Sequence, residues 1–253
     1  MSIKKILLAV AATLVVNSAA MAADKLRMGV EAAYPPFNNK DASGQVVGFD
    51  VDIGKALCAK MEVECEVVTS DWDGIIPALQ SQKFDFLVSS MSITPERSQV
   101  VDFTNPYYSN KLQFIARKGV VFPTEGDQLK DTLKNKAIGA QRATLSGTWL
   151  EDKYGMDVNL KLYDTSENAF LDLSSGRLDA ILADKYASYD WLKSNAGKDF
   201  EFKGDAVEQS DKIGIAVRKG DVLKDKLNKA LAEIIADGTY KKINDKYFPF
   251  SIL

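Results

Sequence analysis

Four hydroxyls and an arginine fall within one short stretch, Ser89-Ser90-Met91-Ser92-Ile93-Thr94-Pro95-Glu96-Arg97. They follow Phe84-Asp85-Phe86-Leu87-Val88, an apolar run of strand length. In an open α/β sheet, ligands sit in the crevice at the carboxyl ends of the strands. Hydroxyls and backbone N–H groups at such an end can hold a carboxylate and an ammonium side by side. Arg97 adds a planar, permanently charged fork that grips a carboxylate through two hydrogen bonds. This is chemistry suited to the backbone end of a free amino acid. The same residues also read as a Ser/Thr/Pro loop entering a short helix, with Thr94 as its cap and Pro95 in its first turn.

The segments that must position this stretch alternate in type. Strands are expected at 26–30, 63–68, 84–88 and 100–103, with helices from about 51 to 61 and over 72–82. An apolar run covers 107–116, and a second series follows: strands at 137–140, 159–163 and 178–183, helices near 146–154 and 166–175. A strand near 213–217 and helices beyond 221 close the chain. There Leu223, Leu227, Leu231 and Ile234 recur at helical spacing and mark one buried face. Such alternation argues for parallel sheets covered on both faces.

Residues 79–90 and 173–184 echo each other. Each reads as a helix end, a basic residue (Lys83, Arg177), an apolar residue, an aspartate (Asp85, Asp179) and a strand ending in polar groups. The echo puts Ser90 and Asp184 at equivalent strand ends of two similar lobes, and chance similarity between two βα units is the alternative. Asp184 also reads as the cap of a surface helix over 185–191, and Asp50 as the cap of the helix that follows it.

Composition bounds the rest. Lys4 and Lys5, the apolar residues 6–16 broken only by Thr13, and Ala20-Met21-Ala22 form an export signal, so the mature chain is expected to begin at Ala23. No later segment is long and apolar enough to span a bilayer, and no cysteine follows the apolar stretch to carry a lipid. A soluble protein of the periplasm is expected. The formal net charge is −3, and the signal carries two lysines and no acid, so the mature chain is more negative still. That excludes a generally basic nucleic-acid binder. The two cysteines, Cys58 and Cys65, are expected to form a disulfide in an oxidising compartment, stapling a helix to a strand. A two-cysteine metal site is the rival, but the chain has no histidine to complete it. The lack of histidine also rules out Ser-His and Cys-His nucleophile pairs.

Several stretches resemble the periplasmic solute-binding proteins of polar amino-acid ABC uptake systems, in particular the lysine/arginine/ornithine-binding family and most of all its arginine/ornithine-binding type. They are Gly29-Val30-Glu31-Ala32-Ala33-Tyr34-Pro35-Pro36-Phe37, Gly48-Phe49-Asp50-Val51-Asp52-Ile53, Trp72-Asp73-Gly74-Ile75-Ile76-Pro77, the 89–97 stretch, Gly176-Arg177-Leu178-Asp179-Ala180 and Asp237-Gly238-Thr239-Tyr240. The resemblance implies an α/β, two-lobed periplasmic binding protein of type II, its lobes joined by two hinge strands. Lobe one would hold 23–110 plus 210–253, and lobe two 111–209.

By the same resemblance Arg97 clamps the ligand carboxylate, helped by Ser92 and by backbone N–H near Thr144. Asp184, with Ser90 and Ser92, takes the α-ammonium. Tyr34 and Trp72 sandwich the ligand side chain, and Glu31, Asp50 and Ser89 receive its distal end. Stacking an aromatic ring on a cation contributes about 0.5–2 kcal/mol. Two acids in one pocket make sense only if a cationic side chain neutralises them, which selects arginine, ornithine, lysine or histidine. The implied partners are that cationic amino acid and a membrane ABC permease. No cofactor or enzymatic activity is implied, and the state expected is a monomer.

Three departures accompany the resemblance. Ala143 stands where glycine is usual in the turn Gly139-Ala140-Gln141-Arg142-Ala143-Thr144-Leu145-Ser146, and Leu145 where a hydroxyl often lies. Arg142 either adds charge there or faces solvent. Residues 204–213 are shorter than in the lysine-type proteins, and Glu31 replaces their aspartate. Opine binding is the alternative within the binder class. A dehydratase- or transglycosylase-like enzyme and a sensor module acting through a partner are the alternatives outside it.

Overall fold

The structure is a computed structural model that describes residues 25–122, 126–134 and 136–253. The expected export signal at 1–22 lies outside the described residues. Two five-stranded sheets dominate the chain. Across the first, the strands run Glu64–Thr69, Lys25–Val30, Phe86–Leu87, Ala216–Arg218, Val101–Phe103; across the second, Asn159–Tyr163, Ala137–Gln141, Ala180–Asp184, Tyr108–Arg117, Phe200–Ile213. In each sheet the first three strands are parallel and the fourth runs against both of its neighbours. The expectation of parallel sheets is thus corrected at the fourth position. A strand that enters from, or returns to, the other lobe arrives without a helical crossover, so nothing forces it parallel.

The shared topology places the echoing segments alike. The strands Phe86–Leu87 and Ala180–Asp184 are both the central strand of their sheet. Each sheet is covered on both faces, and neighbouring residues of one strand divide between them. Phe86 joins Met28, Phe49, Leu57, Leu227 and Ile234 on one side, while Leu87 joins Trp72, Ile75, Leu79 and Phe84 on the other. Phe114 and Ile115 divide in the same way in the second sheet. Alternation of side chains along a strand requires this.

Two strands link the lobes. Tyr108–Arg117 and Phe200–Ile213 pair antiparallel from Phe200 opposite Arg117 to Ile213 opposite Tyr108, with register shifts on either side of Glu208. Tyr108 and Ile213 pack in the first lobe's core, and Leu112, Phe114 and Ala116 in the second's. The 14-residue strand Phe200–Ile213 was not expected from periodicity, because its middle is polar and it pairs on one edge only.

Cys58, on the helix Phe49–Lys60, is bonded to Cys65, on the strand Glu64–Thr69. The closed loop is short, so replacing both cysteines by alanine should cost about 2–3 kcal/mol of unfolding free energy. Urea unfolding of the two forms would measure it, and equal midpoints would show that the bridge does not constrain the unfolded chain.

Candidate ligand-binding site

The carboxyl ends of four strands converge between the lobes. Lys25–Val30 ends at Glu31, Phe86–Leu87 leads into 89–92, Ala137–Gln141 ends at Gln141 and Ala180–Asp184 at Asp184. Together they line a cavity whose walls include Glu31, Tyr34, Trp72, Ser89, Ser90, Ser92, Arg97, Thr144 and Asp184. That is nine of the ten residues singled out in the sequence. Gln141, Leu145, Ser146 and Leu182 complete the wall.

Arg97 owes its position to the turn before it. Thr94 Oγ1 accepts the Arg97 backbone N–H at 3.2 Å, and Pro95 opens the helix Pro95–Val100. The helix cap and the cavity-lining arginine therefore belong to one turn. The guanidinium donates from Nη1 to the Ser92 carbonyl at 2.9 Å and from Nη2 to the Ala143 carbonyl at 2.7 Å. Its carbon lies 5.4 Å from the centre of the Trp72 ring. Guanidinium has five N–H donors, so donors remain for an incoming carboxylate. Burial lowers the arginine's pKa, opposed by Asp211 and Asp184.

Asp184 stands at the start of the helix Lys185–Lys193 but makes no side-chain cap. Its carboxylate instead accepts the hydroxyl of Tyr34, from the other lobe. Burial pushes the Asp184 carboxyl up, while the Tyr34 and Asn110 hydrogen bonds and nearby Arg97 pull it down. Asp211, on the long hinge strand, was not singled out in the sequence. Ser92 Oγ donates to it at 3.0 Å, and Asn110, on the other hinge strand, reaches it at 3.5 Å. Burial first, and then Asp184, push Asp211 up to about 7.

Glu31 lines the same cavity. The Gln141 amide donates to its Oε1 at 2.7 Å and to the Asp164 carbonyl at 3.1 Å, while Ser166 donates to Gln141 Oε1 at 2.7 Å. Ser89 Oγ accepts the Glu31 backbone N–H at 2.9 Å. Burial pushes the Glu31 carboxyl up to about 7; Gln141 offsets part of this, and Glu167, Asp71 and Asp73 add to it. Gln141 was missed in the sequence, although it ends a strand just before the helix Leu145–Tyr154, the same placement that singled out Asp184.

Asp50 requires a correction: it does not line the cavity. It is wholly buried and accepts from Asn38 Nδ2 at 2.8 Å, Ser90 Oγ at 2.9 Å and Tyr107 Oη at 2.6 Å. Burial lifts its carboxyl to about 6 against those three bonds. Ser90 has φ 50, unusual for a serine. The bond to Asp50 and the Ser90 N–H to Tyr107 Oη, 3.1 Å, hold that conformation. Asp50 therefore acts from behind, by fixing Ser90.

The turn after Gln141 crosses the cleft. Ala143 has φ 54, a left-handed conformation that glycine adopts more easily. In it the Ala143 carbonyl accepts both Arg97 and Trp72 Nε1, the latter at 3.1 Å. Arg142 does not simply face solvent: it pairs with Asp73 of the first lobe and Asp164 of the second. Thr144 uses its hydroxyl as the cap of the helix Leu145–Tyr154, accepting Gly147 N–H at 3.2 Å and donating to the Gln141 carbonyl at 2.7 Å. A helix N-terminus at that wall favours negative charge.

Known proteins resemble this chain over nearly its whole length. The L-arginine-binding protein of Pseudomonas aeruginosa is 42% identical over 257 residues, covering 98% of each chain. The lysine/arginine/ornithine-binding periplasmic protein of Escherichia coli is 40% identical, covering 93% of this chain and 92% of its own. Among solved structures, an ancestral arginine-binding protein bound to arginine superposes with a TM-score of 0.81 at 38% identity, over 90% of this chain and 99% of its own. Residues 26–250 match one family throughout. With that span matched and the two-lobed fold shared, the chain belongs to the bacterial extracellular solute-binding proteins, family 3.

Proposed function

We propose that the protein captures a cationic L-amino acid between its lobes, arginine or ornithine before lysine or histidine, and delivers it to a membrane ABC permease. The observation that carries this reading is that one arginine and two carboxylates, Arg97, Asp184 and Glu31, line a single cavity. Arg97 and the backbone at Thr144 take the carboxylate, and Asp184 with Ser90 and Ser92 the ammonium. Tyr34 and Trp72 flank the side chain, and Glu31, anchored by Ser89, receives its cationic tip. It is a binder rather than an enzyme. The named relatives, an L-arginine-binding protein and a lysine/arginine/ornithine-binding protein, support the ligand class.

The lobes divide near 110 and 210, where the strands Tyr108–Arg117 and Phe200–Ile213 pass between the two cores. These strands act as the hinges, and only contacts made in the closed form can drive closure. Export to the periplasm, with cleavage after Ala22, and action as a monomer complete the reading. The test is a thermal-shift panel on ligand-stripped protein beginning at Ala23, with arginine, ornithine, lysine, histidine, glutamine and glutamate. A ligand bound to the native state alone stabilises by about 2.7 kcal/mol at one hundred times its dissociation constant. Shifts with arginine or ornithine and none with glutamate are expected; no shift with any cationic amino acid would overturn the ligand assignment.

The raised Glu31 carboxyl sets a pH dependence. Without ligand, folded Glu31 titrates at about 7 against an ordinary value near 4.5. The folded chain thus holds more protons than the unfolded one between those values, and its stability falls as pH rises through that window. A ligand cation needs the ionised form, so affinity moves the other way and falls as pH drops below about 7. Calorimetry with arginine from about pH 8 to about pH 5 is expected to show this loss, up to tenfold per pH unit from Glu31 alone. Glu31→Gln is expected to make the slope shallower by up to one proton; an unchanged slope would place the cationic tip elsewhere.

A further inference from the structure

Glu31 and Trp72 face two spaces. On one side lies the cavity just described; on the other lies an outer chamber open to solvent. Its walls include Asp71, Asp73, Lys83, Arg142, Asp164 and Asn168. Between the two spaces, the Gln141–Glu31 hydrogen bond, 2.7 Å, ties one lobe to the other. Resting on the cationic amino-acid reading above, we infer that the site also accepts arginine carrying a small neutral substituent on its terminal guanidino nitrogen, the substituent passing Glu31 and Trp72 into the outer chamber.

Charge balance selects this class. Arg142 spans Asp73 and Asp164, and Lys40 and Lys83 stand in the same walls with Asp71. Three cations thus face three acids, and only Glu31 is in excess. Glu31 is the acid that the ligand's own cation would neutralise. The chamber therefore calls for no further charge from the ligand. An added ammonium would compete with Arg142 for its two aspartates, whereas a methyl group displaces only water. An N-methylated guanidinium keeps its positive charge and its remaining N–H donors for Glu31. Glu31 and Trp72, common to both walls, are each held by one side-chain hydrogen bond, to Gln141 and to the Ala143 carbonyl, so a shift of rotamer opens the way between the two spaces.

Calorimetry with arginine, Nω-monomethylarginine and asymmetric Nω,Nω-dimethylarginine tests the inference, paired with Asn168→Trp. Asn168 is exposed on the helix Ser166–Ser174 and lines the outer chamber but not the inner cavity. Both methylated ligands are expected to bind within tenfold of arginine. Asn168→Trp is expected to weaken them at least tenfold while leaving arginine unchanged, and that unchanged affinity also shows the variant to be folded. Methylated ligands more than tenfold weaker than arginine in the wild type would overturn the inference and leave the arginine reading intact. Equal effects of Asn168→Trp on all three ligands would overturn it as well. Failure of arginine itself to bind would instead sink the functional reading on which the inference rests.

Discussion

Arg97→Ala is expected to weaken arginine binding by about 2–5 kcal/mol, the range for truncating one partner of a buried, hydrogen-bonded charge pair. At about 1.4 kcal/mol per factor of ten, that is roughly thirtyfold to several-thousandfold in dissociation constant. The side chain is set within its own lobe by the Ser92 carbonyl and the Trp72 ring, and the Ala143 carbonyl joins them across the closed cleft. Little further ordering is needed on binding, and preorganisation of this kind is what turns contacts into affinity. Arg97→Lys keeps the charge but loses the fork, so it should recover only part of the loss. Calorimetry at one pH, with the unliganded melting temperature recorded alongside, separates lost grip from lost fold. A folded Arg97→Ala protein whose affinity stays within threefold of wild type would mean that the carboxylate binds elsewhere.

Asp184→Asn should produce a loss of similar size with an opposite companion effect. The carboxylate is the acid nearest the site proposed for the ligand ammonium, and breaking such a pair leaves a buried charge without its partner, at a cost of about 3–5 kcal/mol. In the unliganded protein, however, Asp184 is a buried acid near Asp211, and burial pushes its carboxyl up. An amide removes that desolvation cost and can still bond to Tyr34. The variant is therefore expected to melt no lower than wild type without ligand, and to gain far less when arginine is added. If Asp184 served only as a helix cap, both melting temperatures would fall together; the absence of a side-chain cap bond there argues for the first outcome.

How much of this was legible in the chain depends on the range of the forces involved. The stretch 89–97 could be read because cap, proline and arginine act within one turn: Thr94 caps the helix that carries Arg97, and Arg97 lines the cavity. The echo between 79–90 and 173–184 could be read because side-chain periodicity is local, and its two strands proved central in sheets of the same topology. Glu31 and Asp184 were visible as acids directly after apolar strands. Cys58 and Cys65 were visible because they are the chain's two cysteines, only seven residues apart.

Asp50 was misplaced because its type and position fitted the pocket equally well from sequence, and only three-dimensional packing puts Ser90, which lines the cavity, in front of it. Asp211 carried no signal at all. It lies in a polar segment without period, and its partner Ser92 is 119 residues away. The Gln141–Glu31 contact joins positions 110 apart, and Trp72 reaches Ala143 across 71. Local propensity cannot specify such pairs; they exist because two hinge strands bring two separately formed cores face to face.

By itself, then, the sequence determined the order of the elements with a clear period, the covalent staple and the residue types at the strand ends, since these follow from neighbours within a turn or a strand of one another. The tertiary structure alone decided which strand ends share a cavity, which acid stands behind it rather than in it, and that Arg142 bridges the cleft. Those outcomes depend on how one lobe closes on the other, a geometry to which residues far apart in the chain contribute jointly.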